Sequence, residues 1–239
     1  MKRTNHHLYE DLLEQVHVMI AGATGSGKSV VINGMLTTAL YRNPKEVQFI
    51  LIDPKRVELI EYADLPHTVC YASEPEEMLE ALQMAMEITE ARYREMQAQR
   101  IRKYQGGDLY VVIDELADLL TTQKKQVLPL LQRLAQIGRA ARVHLLVATQ
   151  CPLSSILDTS VKCNFDVRIA LRTRSRQDSR NIMDAAGCEA LPRFGKAYYV
   201  KPEGTDLIDV PMLPDDERES LIDYWIEMRQ AFLRRLNLA

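Results

Sequence analysis

Eight consecutive residues near the N-terminus have the types and spacing of a phosphate-binding loop. They read GATGSGKS over residues 22–29, follow an apolar run at residues 16–20 and precede an apolar-periodic stretch at 30–40. Glycines let backbone N–H groups approach phosphate oxygens at a helix N-terminus, whose dipole also favours negative charge. A chance glycine-rich turn is the alternative, and the flanking strand and helix patterns argue against it. We expect nucleotide contacts from Gly22, Ala23, Thr24, Gly25, Ser26, Gly27, Lys28, Ser29 and Val30.

Two residues of this loop have chemistry beyond cradling phosphate. The Lys28 ammonium can reach the β- and γ-phosphates, and the Ser29 hydroxyl can ligate Mg²⁺. The pattern therefore predicts ATP and Mg²⁺ as cofactors.

A pair of carboxylates, Asp114 and Glu115, follows the apolar run LYVVI at residues 109–113. A buried parallel strand that ends in an acidic residue places it at the carboxyl edge of the sheet, where ligands bind in open α/β sheets. We expect Asp114 to hold Mg²⁺ through water and Glu115 to act as the general base toward an attacking water. A solvated pair at a strand end is the alternative. The adjacent carboxylates favour hydrolysis over nucleotide storage.

A third run, residues 145–148, ends in Thr149 and Gln150. The Gln150 amide could sense the γ-phosphate, as a glutamine orients water in other nucleotidases. A solvated turn is the other interpretation.

Short β-branched runs alternate with long amphipathic stretches, which indicates an α/β fold with a mostly parallel sheet. We predict strands at residues 16–21, 47–52, 109–113, 144–148, 167–171 and 196–200, and helices at 28–41, 74–104, 125–139, 176–186 and 215–236. No Gly-, Ser- or Pro-rich linker divides the chain. We therefore expect an N-terminal extension at 1–15 and one domain at 16–239.

Composition excludes several classes of protein. The 239 residues are 46% hydrophobic and 26% charged, with ten glycines and ten prolines, which excludes disordered, collagen-like and repeat architectures. The chain has no run of 18 apolar residues and no segment like a signal peptide, so we expect a cytoplasmic location, with any membrane anchor outside this chain. The four cysteines show no C-x-x-C spacing, which argues against zinc.

The charges are unevenly distributed. The net charge is −3, yet residues 139–180 carry eight basic side chains against three acidic ones. This basic segment is a candidate nucleic-acid contact within an otherwise acidic chain.

Five segments together carry a resemblance to a known family: AGATGSGKSVVINGML, FILIDPKRVEL, YVVIDELADLL, RLAQIGRAARVHLLVATQ and RTRSRQDSRNIMDAAG. Between about residues 16 and 225 the chain resembles the motor domain of the FtsK/SpoIIIE family of DNA translocases. The resemblance implies a RecA-like P-loop ATPase fold with a twisted, mostly parallel sheet flanked by helices. It also implies a homo-oligomeric ring, usually a hexamer, that pumps double-stranded DNA through its pore.

The resemblance assigns roles to further residues. Asp114 and Glu115 match the family's acidic pair, Gln150 its sensor glutamine, and Asp53 and Lys55 its I-D-P-K segment. By resemblance, Arg139 is an arginine finger that reaches into the neighbouring subunit's site. A surface arginine at a helix C-terminus, favoured by the dipole, is the alternative for Arg139.

By the same resemblance, Lys162, Arg176 and Arg180 contact DNA phosphates from loops facing the pore. The family commonly has arginine after the sensor glutamine, where this chain has Cys151, so we expect one phosphate interaction fewer. Arg172 and Arg174 either compensate for it or form a solvated face. The membrane segment, preceding subdomain and DNA-reading module of full-length relatives would lie outside this chain.

Two other functions remain open on the sequence alone. Related ATPases drive protein secretion, and a nucleotide-switched structural subunit would show little turnover. The three cations favour DNA over a protein cargo, and Glu115 beside Asp114 favours turnover over a switch.

Overall fold

A computed structural model describes residues 7–150 and 159–235 of the chain. Its centre is a sheet of eight strands in the order β3-β2-β4-β5-β1-β6-β7-β8. The first six in this order pair in parallel, and β7 and β8 complete the sheet as an antiparallel hairpin. The strands are β1 His17–Ala21, β2 Gln48–Ile52, β3 Thr68–Ala72, β4 Leu109–Ile113, β5 Val143–Thr149, β6 Val167–Ala170, β7 Lys196–Lys201 and β8 Gly204–Asp209. The predicted α/β class is confirmed.

Helices cover both faces of the sheet, which explains why the central strands are apolar on both sides. The helices are α1 His7–Glu14, α2 Lys28–Arg42, α3 Pro75–Gln99, α4 Leu116–Ala141, α5 Thr159–Lys162, α6 Arg176–Met183 and α7 Asp215–Arg235. Buried side chains of α3, α4 and α6 form the core on one face, and those of α1, α2 and α7 form the core on the other.

Residues 7–14 of the predicted N-terminal extension form α1, which packs on α2. The Leu12 side chain is fully buried, and the Tyr9 hydroxyl donates a hydrogen bond of 2.5 Å to the carbonyl oxygen of Pro211. The division of the chain at residue 16 stays a prediction.

Helix α4 differs most from its predicted bounds, because it begins at Leu116 rather than at residue 125. The polar run Thr121-Thr122-Gln123 interrupts the apolar pattern, and the backbone at Gln123 is indeed non-helical, so α4 is kinked there. The Gln123 amide donates to the carbonyl oxygen of Pro75 at 2.7 Å, which fastens the kink to the first residue of α3.

Two other helices end earlier than predicted, each at a residue in the left-handed conformation. Helix α3 stops before Arg100 (φ 55°) rather than at 104, and α6 stops before Asp184 (φ 62°) rather than at 186. Within the described residues no helix is both long enough and apolar enough to span a membrane.

Candidate functional site

The loop between β1 and α2 has a backbone path that requires glycine at two points. A Cβ atom at Gly22 would lie 2.7 Å from Ser26 Oγ and 2.8 Å from Leu171 Cβ, so a side chain there would collide with both. Gly27 precedes α2 with φ +100°, a conformation that residues with a side chain rarely adopt. The loop therefore has the tight turn that the sequence pattern predicts for a phosphate site.

Lys28, the first residue of α2, lies folded back over this loop. Its ammonium donates hydrogen bonds to the carbonyl oxygens of Gly22 at 2.9 Å and Ala23 at 3.1 Å. Burial lowers the pKa of Lys28 to about 8, although the nearby carboxylates of Glu115 and Asp114 act in the opposite direction. A partly desolvated cation thus lies inside the loop, where it would interact strongly with an anion.

Asp114 extends from the end of β4 and is 2% exposed. Burial, together with the carboxylates of Glu58 and Asp53, raises the pKa of Asp114 to about 7. Its Oδ2 atom is buried and makes no hydrogen bond within the described residues.

The orphaned oxygen of Asp114 has the chemistry of a cation ligand. Carboxylate and hydroxyl oxygens are the ligands that Mg²⁺ prefers, and Mg²⁺ retains several waters. The half-buried Ser29, the second residue of α2, and Asp114 would hold it. A bound Mg²⁺ would add positive charge beside the carboxylates of Asp114, Glu58 and Asp53.

Glu115 is 3% exposed, and its carboxylate is held from three sides. Thr149 Oγ1 donates to Oε1 at 2.7 Å, and the Gln150 backbone N–H lies 3.1 Å from both oxygens. On the remaining side the Lys55 ammonium lies 3.1 Å from Oε2. The predicted base is therefore buried, anchored and paired with a cation.

Gln150 connects this carboxylate to the phosphate loop. Its backbone N–H contacts Glu115, and its side-chain Oε1 accepts a hydrogen bond of 2.8 Å from the Thr24 hydroxyl. The structure thus brings the loop, the acidic pair and Gln150 together at the carboxyl edge of the sheet. The catalytic roles of these residues stay predictions.

Sequence patterns assign no function to Lys55 beyond its place in the I-D-P-K motif. Asp53 is fully buried and accepts backbone N–H groups of Lys55 at 3.1 Å, Glu58 at 3.1 Å and Leu59 at 3.0 Å. These bonds shape the loop after β2 so that Lys55 lies at Glu115. The Thr149 contact was missed as well, and its place at the end of β5 was the available signal.

Arg139 does not join the other predicted catalytic residues. It is exposed in the last turn of α4, whereas Glu115 lies immediately before the first turn of the same helix. The chain enters β5 soon after Arg139, so this arginine lies at the amino edge of the sheet, opposite the phosphate loop. Within one subunit it cannot act on a nucleotide bound at that loop.

Two of the three predicted DNA-contacting cations make ion pairs within the chain. The Lys162 ammonium lies 2.6 Å from Asp184, which also pairs with Arg168 at 3.2 Å, and Arg176 lies 3.3 Å from Glu189. Arg180 is exposed on α6. Cys151, which stands where relatives commonly have arginine, lies outside the described residues.

The family model for the FtsK/SpoIIIE family matches residues 1–109 and 105–154. A DNA translocase FtsK from Haemophilus influenzae is 35% identical over 255 residues, a match that covers 90% of this chain and 48% of that protein. A DNA translocase FtsK from Campylobacter jejuni is 37% identical over 231 residues, covering 90% of this chain and 24% of that protein. The chain thus spans less than half the length of these two relatives.

Solved structures show the same fold at lower identity. The pCW3 conjugation coupling protein TcpA, solved with ATPγS, has a TM-score of 0.77 at 20% identity, covering 90% of this chain and 66% of TcpA. The cytoplasmic domain of the Thermomonospora curvata type VII secretion ATPase EccC has a TM-score of 0.75 at 23% identity, covering 89% of this chain and 28% of EccC. These similarities confirm the predicted P-loop ATPase fold.

The family match covers the phosphate loop, the acidic pair and Gln150, and the curated relatives align over nine-tenths of the chain. The predicted resemblance is confirmed, and the chain belongs to the FtsK/SpoIIIE family.

Proposed function

We propose that this chain is an ATP-hydrolysing motor that moves along double-stranded DNA as a ring of identical subunits. The observation that carries the proposal is the convergence of Lys28, the Asp114–Glu115 pair and Gln150 at one edge of the sheet. The curated relatives are named DNA translocases, which supports DNA as the track.

The site contains the groups that phosphoryl transfer to water requires. Water attacks the γ-phosphorus, the bond to the ADP oxygen breaks, and the proton of the water passes to the Glu115 carboxylate. The Lys28 ammonium stabilises negative charge on the phosphates, and Gln150 orients the water. The hydrogen bonds from Thr149 and Gln150 hold the Glu115 carboxylate in place for this proton transfer.

Assembly into a ring would complete the site. Arg139 lies at the amino edge of its own subunit, so it would act on a nucleotide bound by a neighbour. An arginine supplied in this way stabilises charge on the transferring phosphoryl group, and hydrolysis then depends on assembly. A hexamer, as the family resemblance implies, is the expected ring.

The motor would bind DNA through the phosphate groups of the DNA backbone. Lys162 and Arg176 have internal counterions in Asp184 and Glu189, and DNA phosphates can replace those carboxylates. Contacts to phosphate carry no sequence information, which suits a motor that must move along any sequence.

The first experiment measures ATP hydrolysis with and without double-stranded DNA while the protein concentration is raised. We expect DNA to stimulate hydrolysis and the specific activity to rise with concentration, because assembly completes the site. Lys28→Ala should lose ATP binding in calorimetry, whereas Lys125→Ala, which changes an exposed lysine on α4, should not. Unchanged ATP binding in Lys28→Ala would overturn the nucleotide-site assignment.

A second experiment tests the DNA contacts with two variants that should change DNA affinity in opposite directions. Replacing Lys162, Arg176 and Arg180 with alanine should weaken binding to all sequences. It should also flatten the dependence of log affinity on log salt, by up to about 0.9 for each DNA phosphate that is no longer neutralised. Asp184→Asn frees Lys162 and Arg168 and should tighten binding.

The matched control replaces the exposed cations Arg94, Arg102 and Lys103 near the end of α3. If this variant loses DNA binding and the first triple variant does not, the DNA-binding surface lies at the end of α3. Absence of salt-sensitive DNA binding in the unaltered protein would favour a protein cargo.

A further inference from the structure

An open cavity of about 280 Å³ lies beside the phosphate loop, on the side away from the acidic pair. Residues 23–26 of the loop form one wall. The other walls come from Arg172, Thr173 and Arg174 after β6, and from Glu189 and Arg193 before β7. The roles assigned above to Lys28, Asp114, Glu115 and Gln150 make no use of this space.

The strand order fixes which end of a nucleotide would face this cavity. The loop is tied to β5 on one side by the bond from Thr24 to Gln150, and to the segment after β6 on the other by the Ala23 N–H, which donates to the carbonyl oxygen of Arg172 at 2.8 Å. The acidic pair lies beyond β5, at β4. Because the phosphates of ATP form a linear chain, a γ-phosphate on the β4–β5 side directs the α-phosphate and ribose toward β6.

The charge in the cavity suits an anion. Three arginines line it, Arg172, Arg174 and Arg193, against one acidic residue, Glu189. That carboxylate is already engaged, since it accepts the Gly187 N–H at 2.8 Å and pairs with Arg176 at 3.3 Å. The residues that line the cavity therefore carry excess positive charge.

Arg193 is the arginine that lies against the loop itself. Its Nη2 atom is 3.1 Å from the position that a Cβ atom would take on Gly25, and its guanidinium lies over the Phe194 ring with the ring centroid at 5.0 Å. Stacking on an aromatic ring orients a guanidinium, and its planar pair of N–H groups matches two phosphate oxygens. The volume is at the lower end of ligand pockets and suits part of a nucleotide rather than all of it.

We propose that Arg193, assisted by Arg172, binds the α-phosphate and ribose of ATP or ADP held by the same subunit. The inference rests on the proposed function, because it requires nucleotide at the phosphate loop. It assigns these arginines to the nucleotide rather than to DNA, which is the other polyanion that they could contact.

The test compares three ligands of one site by calorimetry: ATP, ADP and inorganic pyrophosphate. Pyrophosphate can fill the β- and γ-phosphate positions beside Lys28, and it lacks both the α-phosphate and the nucleoside. Arg193→Ala should weaken ATP and ADP by about tenfold each and pyrophosphate by less than about twofold, because the variant lacks a charge-assisted hydrogen bond at the α-phosphate end. Arg193→Lys keeps the charge without the paired N–H groups and should fall between the unaltered protein and the alanine variant.

Controls distinguish loss of the Arg193 contact from unfolding of the variant and from failure of the proposed function. Arg133→Ala removes an exposed arginine of α4 and should bind all three ligands normally, and thermal unfolding should show that Arg193→Ala stays folded. Equal weakening of pyrophosphate, or unchanged binding of all three ligands, would overturn the inference. So would a loss of DNA binding by Arg193→Ala with nucleotide binding intact. Failure of the unaltered protein to bind any nucleotide would instead overturn the proposed function.

Discussion

The two edges of the central sheet each carry a cluster of ionisable side chains, and the clusters differ in whether their charges are matched. At the amino edge, Arg142 donates to Asp108 through Nε at 2.8 Å and Nη2 at 2.5 Å, and His144 Nε2 donates at 2.9 Å. Burial opposes ionisation of Asp108, yet these hydrogen bonds and charges hold its pKa well below the usual range. At the carboxyl edge the pKa of Asp114 is raised instead, and one of its oxygens has no partner within the described residues.

This difference distinguishes a cluster whose charged groups satisfy one another from the candidate ligand site. The amino-edge groups satisfy one another, and Arg92 adds hydrogen bonds to the carbonyl oxygens of Ala141 at 2.8 Å and Arg142 at 3.0 Å. Removing a partner from such a closed network costs stability. At the carboxyl edge, a cation and a polyanion would complete the network, so substitutions there should affect turnover more than folding.

Arg139 tests this division between the two edges most directly, because it is a predicted functional residue that lies at the amino edge. At protein concentrations that favour assembly, Arg139→Ala should lower the ATPase rate by about 10³- to 10⁵-fold while ATP binding persists. Arg133→Ala, which removes another exposed arginine of α4, should hydrolyse normally. A dilute monomer that hydrolyses ATP at the full rate would contradict the role in the neighbouring site.

Glu115→Gln tests the carboxyl edge directly. The amide keeps the shape of the side chain and cannot accept the proton, so the rate should fall by about 10²- to 10⁴-fold with ATP still bound. Asp118→Asn, at an exposed position in the first turn of α4, is the matched control and should keep most activity. Steady-state ATPase assays compare the two variants. If Asp118→Asn loses activity and Glu115→Gln keeps it, Asp118 rather than Glu115 is the general base.

Lys55→Met removes the cation that is paired with Glu115 at the carboxyl edge. We expect kcat to fall by about tenfold, because the carboxylate loses one of its charged hydrogen bonds and its fixed position. Lys55→Arg should recover part of this loss. Arg56→Met, which removes an ion pair with Glu74, should leave kcat unchanged. Equal losses in both methionine variants would mean that the effect comes from the loop as a whole.

Asp108→Asn should have the smallest effect on activity and a clear effect on stability. We expect about 1–3 kcal/mol less free energy of unfolding near neutral pH, measured by denaturant titration. The folded-state pKa of Asp108 is depressed, so its contribution is present above its unfolded pKa of about 4 and is lost as the pH falls below that value. The difference between variant and unaltered protein should therefore shrink in acid. Asp166→Asn, at an exposed position, is the control and should change the free energy of unfolding by less than about 0.5 kcal/mol.

Residues with strong local signals were predictable from the sequence. The loop at 22–29, the six predicted strands and the convergence of strand ends all follow from apolar runs and glycine spacing. Strand β3 was missed because its sequence, TVCYA, lies at the sheet edge with Val69 42% exposed. Strand β8 was missed because nearly all of its residues are exposed.

The contacts around Glu115 could not be predicted from local sequence patterns, for a different reason. Lys55 and Thr149 are distant from Glu115 in sequence, and only the strand order brings them to its carboxylate. The bend of α4 at Gln123 likewise depends on the carbonyl group of Pro75, which belongs to another helix. Sequence patterns predict where such groups leave the sheet, and the tertiary fold decides which of them meet.

The bend at Gln123 has a mechanical consequence in an assembled ring. Helix α4 has 26 residues, so its path is about 39 Å long, with Glu115 before its first residue and Arg139 in its last turn. In the proposed ring this helix would connect a subunit's own site to that of its neighbour, with the bend at Gln123 between the two. Because the bend is hydrogen-bonded to the first residue of α3, a displacement of Glu115 on hydrolysis would change direction there before it reached the neighbouring site. Successive subunits would then be coupled in series.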